Sequence, residues 1–434
     1  MKEHPYWWDS PALRAGSQKA EAGSQKDAAA PLARRADVVI VGAGYTGLSA
    51  ALALARGGAS VVVFDRGLVG SGASSRNGGQ VLTGMKLDPG TLVGQFGESR
   101  ARELFQISLD SIATLERLIA EEAMSCEYAR TGHILAASKP SHFEAFDEER
   151  SLLARVFDHP VHLVPAADQA GELGSSVYFG LMVDRRSGAL NPACYARELA
   201  AAARRAGATI VEGTAVTRTS RGAAGWTVTT ERGAVEAGDL LFATNGYTDS
   251  AAPWLQRRLV PIGSYAIATA PLQPDHAAAL IPKGRMVFDS KHFLHYFRLT
   301  SDHRLLFGGR AQFTRPDADT TRRCAQILRR DMTAIFPSLA ATPVDYAWSG
   351  HVAFTRDQLP HAGRIQGAYF AGGYCGHGIA MATHLGALVA RRMAGEPIDH
   401  PLMNDQFPAI PFYRGTPWFL PLAGLYYKLQ DWLH

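Results

Sequence analysis

Two rhythms of apolar residues run along this chain. The apolar run from Val38 to Val41 ends at Gly42, and an alanine- and leucine-rich stretch follows to about Arg56. The run reads as a buried strand and the stretch as a helix starting near Tyr45. A second apolar run at 60–64 predicts another strand, ending at Asp65. Residues 98–123 place apolar side chains at Leu104, Ile107, Ile112, Leu115, Leu118 and Ile119, which predicts a long helix, and 143–157 read as another. Asn191 and Pro192 start a helix to about residue 207, a cap residue followed by proline in the first turn. Strands are expected at 208–212, 225–230 and 234–243. Between 250 and 340 aromatic and polar residues alternate, as in 286–299 and 304–309, which predicts antiparallel strands. A short strand and turn at 367–373 and a helix rich in small residues at 377–393 follow. From 421 to 433 the spacing suits a helix with one broad apolar face.

At 434 residues the chain exceeds what one small core fills, so two closely packed domains are expected. The order of elements predicts an α/β fold. A Rossmann-like dinucleotide-binding domain is assembled from 37–95, 190–249 and 346–400. A substrate domain of antiparallel sheet plus helix, 96–189 and 250–345, is inserted in pieces. Residues 1–36 form an N-terminal extension and 401–434 an aromatic tail. Tyr6-Trp7-Trp8 either anchors the extreme end to the body or meets a partner. The tail is expected to pack on the body, with a dimer interface or a membrane surface as alternatives; Lys428 alone attracts lipid weakly.

Composition adds limits. The chain is 47% hydrophobic and 19% charged, as in a soluble globular enzyme. Its net charge is +4 with Lys and Arg scattered, which argues against a nucleic-acid partner. The four cysteines, Cys126, Cys194, Cys324 and Cys375, have neither metal spacing nor the look of a disulfide scaffold. No metal is expected, and a cytoplasmic location fits. No apolar stretch of about 18 residues marks a membrane span, and residues 1–36 lack the apolar segment of a signal peptide.

Candidate chemistry begins at Gly42-Ala43-Gly44-Tyr45-Thr46-Gly47. Gly42 permits a tight turn, Gly44 lets backbone approach a pyrophosphate, and Gly47 lets helix and strand pack closely. The helix start offers free N–H groups to phosphates. Asp65 sits where a carboxylate accepts hydrogen bonds from an adenosine ribose. The pattern suits NAD or FAD, and four features favour FAD. The fingerprint lies near the N-terminus. The segment 71–80 supplies small and polar residues for a long extended cofactor. No second complete GxGxxG unit serves a nicotinamide. Finally, residues 372–378 open a helix whose N-terminus suits the N1–C2=O edge of a reduced flavin. Thr244-Asn245-Gly246 places one more glycine after a buried strand, near the cofactor's path.

Six segments together resemble the D-amino-acid oxidase-like flavoproteins, within the glycine oxidase and sarcosine oxidase group. They are GAGYTG (42–47), Asp65, GASSRNGGQ (72–80), ATNGYT (243–248), WSG…FTRDQLPHAGR (348–364) and AGGYCGHG (371–378). The likeness runs from 38 to about 395. Within the group, SRNGGQ, YTGLSAALALA, GGYCGHGIAMATHLG and PFYRGTPWFLP are most similar to gamma-glutamylputrescine oxidases. The resemblance implies an FAD-binding domain whose adenosine end meets Gly42, Gly44, Tyr45, Thr46, Gly47 and Asp65. Arg66 flanks the ribose, and the Val216 backbone meets the adenine. Ser74, Ser75, Arg76, Asn77, Gly78, Gly79 and Gln80 line the pyrophosphate and flavin, with Thr244, Asn245 and Gly246 close by. Gly373, Tyr374, Cys375, Gly376, His377, Gly378 and Ile379 lie at the pyrimidine edge. One-subunit sarcosine oxidases hold their flavin through a cysteine near the position of 352–354. This chain has none there, so non-covalent FAD is expected.

The implied reaction is oxidation of a C–N bond in a small-molecule amine. A hydride leaves for flavin N5, the imine hydrolyses, and O2 becomes H2O2. Catalytic candidates are Tyr265, Tyr296, Arg298, His351 and His377. In one strand-like run His292, Tyr296 and Arg298 share a face and His295 points the other way. Arg298 either grips a substrate carboxylate through its fork or forms a surface salt bridge. His295 is expected to be structural, and Trp348 with His351 either caps the ring or packs in the core. The substrate is expected to be gamma-glutamylputrescine or a related amine. The alternatives are a sarcosine, glycine or pipecolate-like imino-acid oxidase, and an amine dehydrogenase passing electrons to a quinone or carrier protein. A non-enzymatic flavin-binding protein is disfavoured. Monomer and homodimer are both open.

Overall fold

The first apolar run becomes β1 (Arg35–Val41) and leads through a glycine turn into α1 (Tyr45–Arg56). The second, β2 (Val61–Phe64), returns beside β1 in parallel register, with Val38 opposite Val61 and Val41 opposite Phe64. The computed structural model describes residues 1–16, 32–291, 293–309 and 317–420. His292 and the helix expected at 421–433 lie outside them.

After β3 (Gln80–Val81), α2 (Pro89–Glu121) starts at Asp88, whose side chain accepts the Thr91 N–H. Its path breaks at Gly97, where φ is 75°, so the regular helix begins where the periodicity predicts. Next come β4 (His133–Ala136), α3 (Pro140–Phe157), β5 (His162–Pro165), β6 (Gly180–Asp184) and β7 (Gly188–Ala189). Asn191 caps α4 (Pro192–Arg205) by accepting the Cys194 N–H. Then follow β8 (Thr209–Val211), β9 (Val216–Gly222), β10 (Gly225–Thr230) and β11 (Gly233–Phe242). Besides two short helices (Pro253–Gln256 and Pro274–Leu280), there follow β12 (Val260–Thr269), β13 (Met286–Asp289), β14 (His295–Leu299), β15 (Leu305–Gly309), α5 (Ala318–Ile335), β16 (Val344–Phe354), β17 (His361–Ile365), β18 (Ala368–Gly372) and α6 (Gly378–Met393).

Two large sheets result. The first has parallel strands in the order β18-β11-β1-β2-β8, with β17 antiparallel outside β18 and the β9–β10 hairpin hung on β11. α1 packs against α4 and α6. Strands buried on both faces explain the unbroken apolar runs. The second sheet has the order β16-β12-β15-β14-β13-β4-β6-β5, antiparallel except where β13 lies beside β4. β16 pairs with β12 from Val344 to Phe354, so this sheet extends past the domain boundary expected at 346. α5 packs under it and closes a core with Phe297, Phe307 and Leu328.

Both ends of the described chain are tied down. Lys2 pairs with β16 through Lys2 N to Asp345 O (2.6 Å) and Ala347 N to Lys2 O (2.9 Å). Tyr6–Asp9 form a short 3-10 helix with Tyr6 and Trp7 buried, so this segment is an anchor. In the tail, Tyr413 packs with Leu420 on Val260 and Ile262 and donates to Leu259 O at 3.0 Å.

His295 points away from Tyr296, into a cluster with Asp289 (3.0 Å) and Asp331 (3.3 Å). Burial opposes its charge, but those hydrogen bonds outweigh burial and raise its pKa to about 9. The folded value lies above the ordinary one, so the stabilisation is complete below about pH 6.5 and fades as pH rises through about 9. His295→Gln is expected to cost about 3 kcal/mol near pH 6. Thermal denaturation from pH 6 to 10 should show the Tm gap to wild type narrowing; a gap independent of pH would contradict this pairing.

Candidate active site

A cavity of about 750 Å³ runs between the two sheets. At one end it meets the β1–α1 turn. Gly42 has φ 108°, and a Cβ there would come within 2.9 Å of Ala243 O. A Cβ on Gly47 would strike the Gly42 carbonyl oxygen. Gly47 therefore sets the packing of the turn, while Gly42, Gly44, Tyr45 and Thr46 line the cavity. α1 opens on Gly44, which has no side chain to cap it; the Tyr45 N–H donates to Ser74 Oγ at 3.1 Å, and the N–H groups after it in the first turn suit an anion. Asp65 accepts Ala43 N–H and Gly67 N–H, both at 2.8 Å, and burial raises its pKa. Its carboxylate ties the turn together and also lines the cavity, as do Val216 and Arg66, the latter ion-paired with Asp249.

The small-residue loop after β2 forms the next wall. Ser74, Arg76, Asn77, Gly78 and Gln80 line the cavity; Ser75 and Gly79 face away. This loop is held from behind by indole N–H groups. Trp7 donates to Asn77 O (2.8 Å), Trp8 to Ser75 Oγ (2.8 Å) and Trp348 to Arg76 O (2.9 Å). Trp348 is thus a buried brace for the loop and is not among the cavity-lining residues. Opposite, Thr244 and Asn245 line the cavity, while Gly246 packs against His351. Asn245 Oδ1 accepts the Gly373 N–H at 2.9 Å and fixes the turn into α6. Tyr374, Cys375, Gly376, His377, Gly378 and Ile379 line this end, with Gly373 behind them.

On the facing sheet, the cavity wall includes Tyr296, His351 and Ser264. Tyr296 fits over Gly78 and Gly308, where a Cβ would collide with its ring. His351 rests against Tyr247, ring centroids 5.0 Å apart. Two candidates lie elsewhere. Tyr265 follows Ser264 on β12, so its ring turns to the opposite face, into the core with Cys324 and Leu328. Arg298 shares the face of Tyr296, as the alternation predicts, but two residues along the strand the cavity has ended. Its guanidinium donates to Gly79 O (3.0 Å), Leu190 O (2.9 Å) and Leu299 O (3.2 Å) and lies 5.6 Å from the Trp7 ring centroid. It clamps the chain's own loop, neither gripping substrate nor forming a surface salt bridge.

Sequence reasoning missed one more stretch of the cavity wall. There Thr83, Lys86, His133, Glu149, His159 and Asp184 line the wall. They come from short strands, a loop and a helix face, and no local motif marks them.

The donor set suits a flavin dinucleotide. His377 Nδ1 and Gln80 Nε2 are buried polar atoms without a hydrogen-bond partner among the described residues, both on the wall where a polar ring would sit. Together with the α1 N-terminus and the glycine cradle, they fit the cofactor. No group of residues suited to a metal occurs among the described residues.

The fold and this site define a flavin-dependent oxidoreductase. Residues 37–392 match the DAO family, FAD dependent oxidoreductase, and the chain belongs to it. FAD is its cofactor. The chain is 34% identical over 366 residues to the probable oxidoreductase OrdL of Haemophilus influenzae, covering 83% of each. It is 32% identical over 401 residues to the gamma-glutamylputrescine oxidoreductase of Escherichia coli, covering 91% of this chain and 92% of that one. Among solved structures, glycine oxidase from Geobacillus kaustophilus shares the fold with a TM-score of 0.72 at 22% identity, over 88% of this chain and 100% of that one. No helix among the described residues is long and apolar enough to cross a membrane.

Two outcomes follow. Trp7→Phe and Trp8→Phe each remove one N–H from the flavin-side loop, at a net cost of about 1 kcal/mol. Each should weaken FAD binding about fivefold in fluorescence titrations of the apoprotein; unchanged affinity would contradict the bracing role. Burial pushes the Cys375 thiol up to about 11, and its Sγ is 3.2 Å from Gly373 O, so it is a poor nucleophile. Acid precipitation should therefore release all the flavin; yellow retained in the pellet would show a covalent link.

Proposed function

We propose that this chain is an amine oxidase. It oxidises the C–N bond of gamma-glutamylputrescine or a related long amine, with O2 as acceptor and H2O2 as product. The observation that carries the reading is the commitment of Arg298 to Gly79 O, Leu190 O and Leu299 O. An oxidase of small free amino acids grips the α-carboxylate beside the flavin through an arginine fork. Among the described residues, the arginines on the cavity wall are Arg66 and Arg76. The first pairs with Asp249, and the second donates to Ser71 O (2.8 Å) and Ser349 O (2.9 Å). The likeness to the gamma-glutamylputrescine oxidoreductase over nearly the whole chain supports the same reading.

Bound FAD supplies the two-electron acceptor and passes the electrons on to O2. The protein's part is orientation and electrostatics. Gln80 and the residues that begin α6 hold the cofactor's polar ring, and the α6 N-terminus favours negative charge beside it. Burial, with Lys86 and His133 nearby, lowers the His377 pKa to about 3, so its ring stays neutral. A neutral His377 is too weak a base to deprotonate an ammonium ion. The amine therefore sheds its proton to solvent before it reacts, and turnover rises with pH toward an amine pKa of about 10. Tyr296, Ser264 and His351 form the wall that aligns the reacting C–H bond.

Anaerobic stopped-flow mixing with gamma-glutamylputrescine, putrescine, sarcosine, L-pipecolate and D-alanine tests this. The first should bleach the flavin fastest, and readmitted oxygen should restore the colour with one H2O2 per flavin. Bleaching only by a small amino acid would overturn the substrate class. Reduced flavin that persists in air would favour a dehydrogenase.

A further inference from the structure

Three neighbouring strands of the second sheet turn one face to the cavity. On β4, Ile134 and Ala136 pack in the core while His133 and Leu135 line the cavity, as the alternation of a strand requires. Leu135 lies beside Phe288 of β13, and Phe288 beside Tyr296 of β14; both rings also line the cavity. Two strand spacings, about 10 Å, separate the strand of Tyr296 from that of His133.

His133 is nearly buried, and its ring stacks on Phe288 with centroids 5.0 Å apart. Its Nδ1 meets Ser187 Oγ at 2.8 Å. Ser187 is fully buried, and its oxygen accepts the Thr83 N–H at 3.2 Å. Among the described residues, the acceptor left for the Ser187 hydroxyl proton is His133 Nδ1. Burial lowers the His133 pKa, so the ring is neutral. A neutral imidazole that accepts at Nδ1 carries its proton on Nε2. That Nε2 has no partner among the described residues, which leaves a fixed N–H donor at the cavity wall.

The neighbourhood decides what this donor can meet. Asp184 stands opposite His133 on β6, with Oδ2 3.9 Å from Nδ1. Its Oδ2 accepts from Thr83 Oγ1 (2.5 Å) and His159 Nε2 (2.7 Å), and its Oδ1 accepts the Arg186 N–H (2.6 Å). Burial opposes its charge, but the hydrogen bond from His159 and the other donors outweigh burial and hold it well below the usual carboxylate range. An ionised Asp184 disfavours a carboxylate beside His133, and the N–H itself disfavours an ammonium. An uncharged acceptor suits both.

We propose that His133 recognises the carbonyl oxygen of an acylated amine through its Nε2–H, and that Ser187 is the positioning residue that sets this tautomer. The inference rests on the reading of gamma-glutamylputrescine as substrate, whose amide carbonyl lies beyond a tetramethylene chain from the reacting amine. With that amine at Tyr296, the methylenes lie over Phe288 and Leu135 and the carbonyl reaches His133. Putrescine has no acyl group and leaves the donor unmatched.

Infrared difference spectra of the FAD-loaded enzyme with gamma-glutamyl-n-butylamide, isotope-labelled at the amide carbonyl, test this. The ligand keeps the amide and has no oxidisable terminal amine. His133→Phe keeps a ring on Phe288 and loses the N–H. Wild type should show the carbonyl band at lower frequency than this variant and bind the ligand about fivefold more tightly in calorimetric titration. In Ser187→Ala the Nδ1 loses its donor and Asp184 draws the imidazole proton there, so this variant should match His133→Phe while keeping the histidine. The thioamide analogue, whose sulfur accepts hydrogen bonds poorly, should bind wild type at least about fivefold more weakly. That comparison on wild type decides the matter if neither variant folds. The same band and affinity in His133→Phe as in wild type, equal affinity for amide and thioamide, or no binding to wild type would overturn the carbonyl site. A band lowered in Ser187→Ala as in wild type would overturn the role of Ser187. A carbonyl shift without bleaching by gamma-glutamylputrescine would keep the site and remove the amine-oxidase reading. Bleaching without the shift would do the reverse.

Discussion

α1 lies closer to its neighbours than side chains would permit, and the cavity takes its shape from that contact. A Cβ on Gly47 would strike Gly42 O, and one on Gly386 of α6 would strike Thr46 O. With the glycines in place, Ser49 Oγ reaches Thr383 O at 2.7 Å and Thr46 Oγ1 meets the Tyr374 hydroxyl at 2.6 Å. Thr46 belongs to the first turn of α1 and Tyr374 to the turn before α6. One buried bond thus couples the first turn of α1 to the turn that opens α6.

The loop between these ends is shaped from outside the dinucleotide fold. Three indole N–H groups and one guanidinium hold it, and two of those indoles come from the first ten residues of the chain. A buried arginine is expensive, and burial lowers the Arg298 pKa to about 10. Its donors are satisfied by carbonyls of the loop, of the β7–α4 connection and of its own strand, which makes it a fastener between the two sheets. The forked side chain best suited to a carboxylate is thus committed to architecture.

Much of the dinucleotide half was legible in the sequence because its signals are local. Buried parallel strands give unbroken apolar runs, and close approaches demand glycine at fixed offsets. The second sheet was less legible. Its strands β4, β5 and β6 are four or five residues long and lie among helices, and β4 finds β13 about 150 residues away. Alternation correctly placed Tyr296 and Arg298 together against His295. A face does not say where a cavity stops, so the same reasoning misjudged what Arg298 touches. Tyr265 failed for the complementary reason, being one residue out of phase with Ser264. Nothing local in the sequence marks Glu149 or Lys86, since only the tertiary fold brings them to the cavity wall.

A crystal structure of the FAD-loaded enzyme tests the central claim most directly, because everything above depends on which wall the flavin ring meets. The ring should lie between the loop around Gly78 and Gln80 and the start of α6, contacting His377, with its open face toward Tyr296 and the far cavity. A ring whose open face is turned away from Tyr296, or one bonded to Arg298, would contradict the assignment of both the cofactor wall and the substrate path.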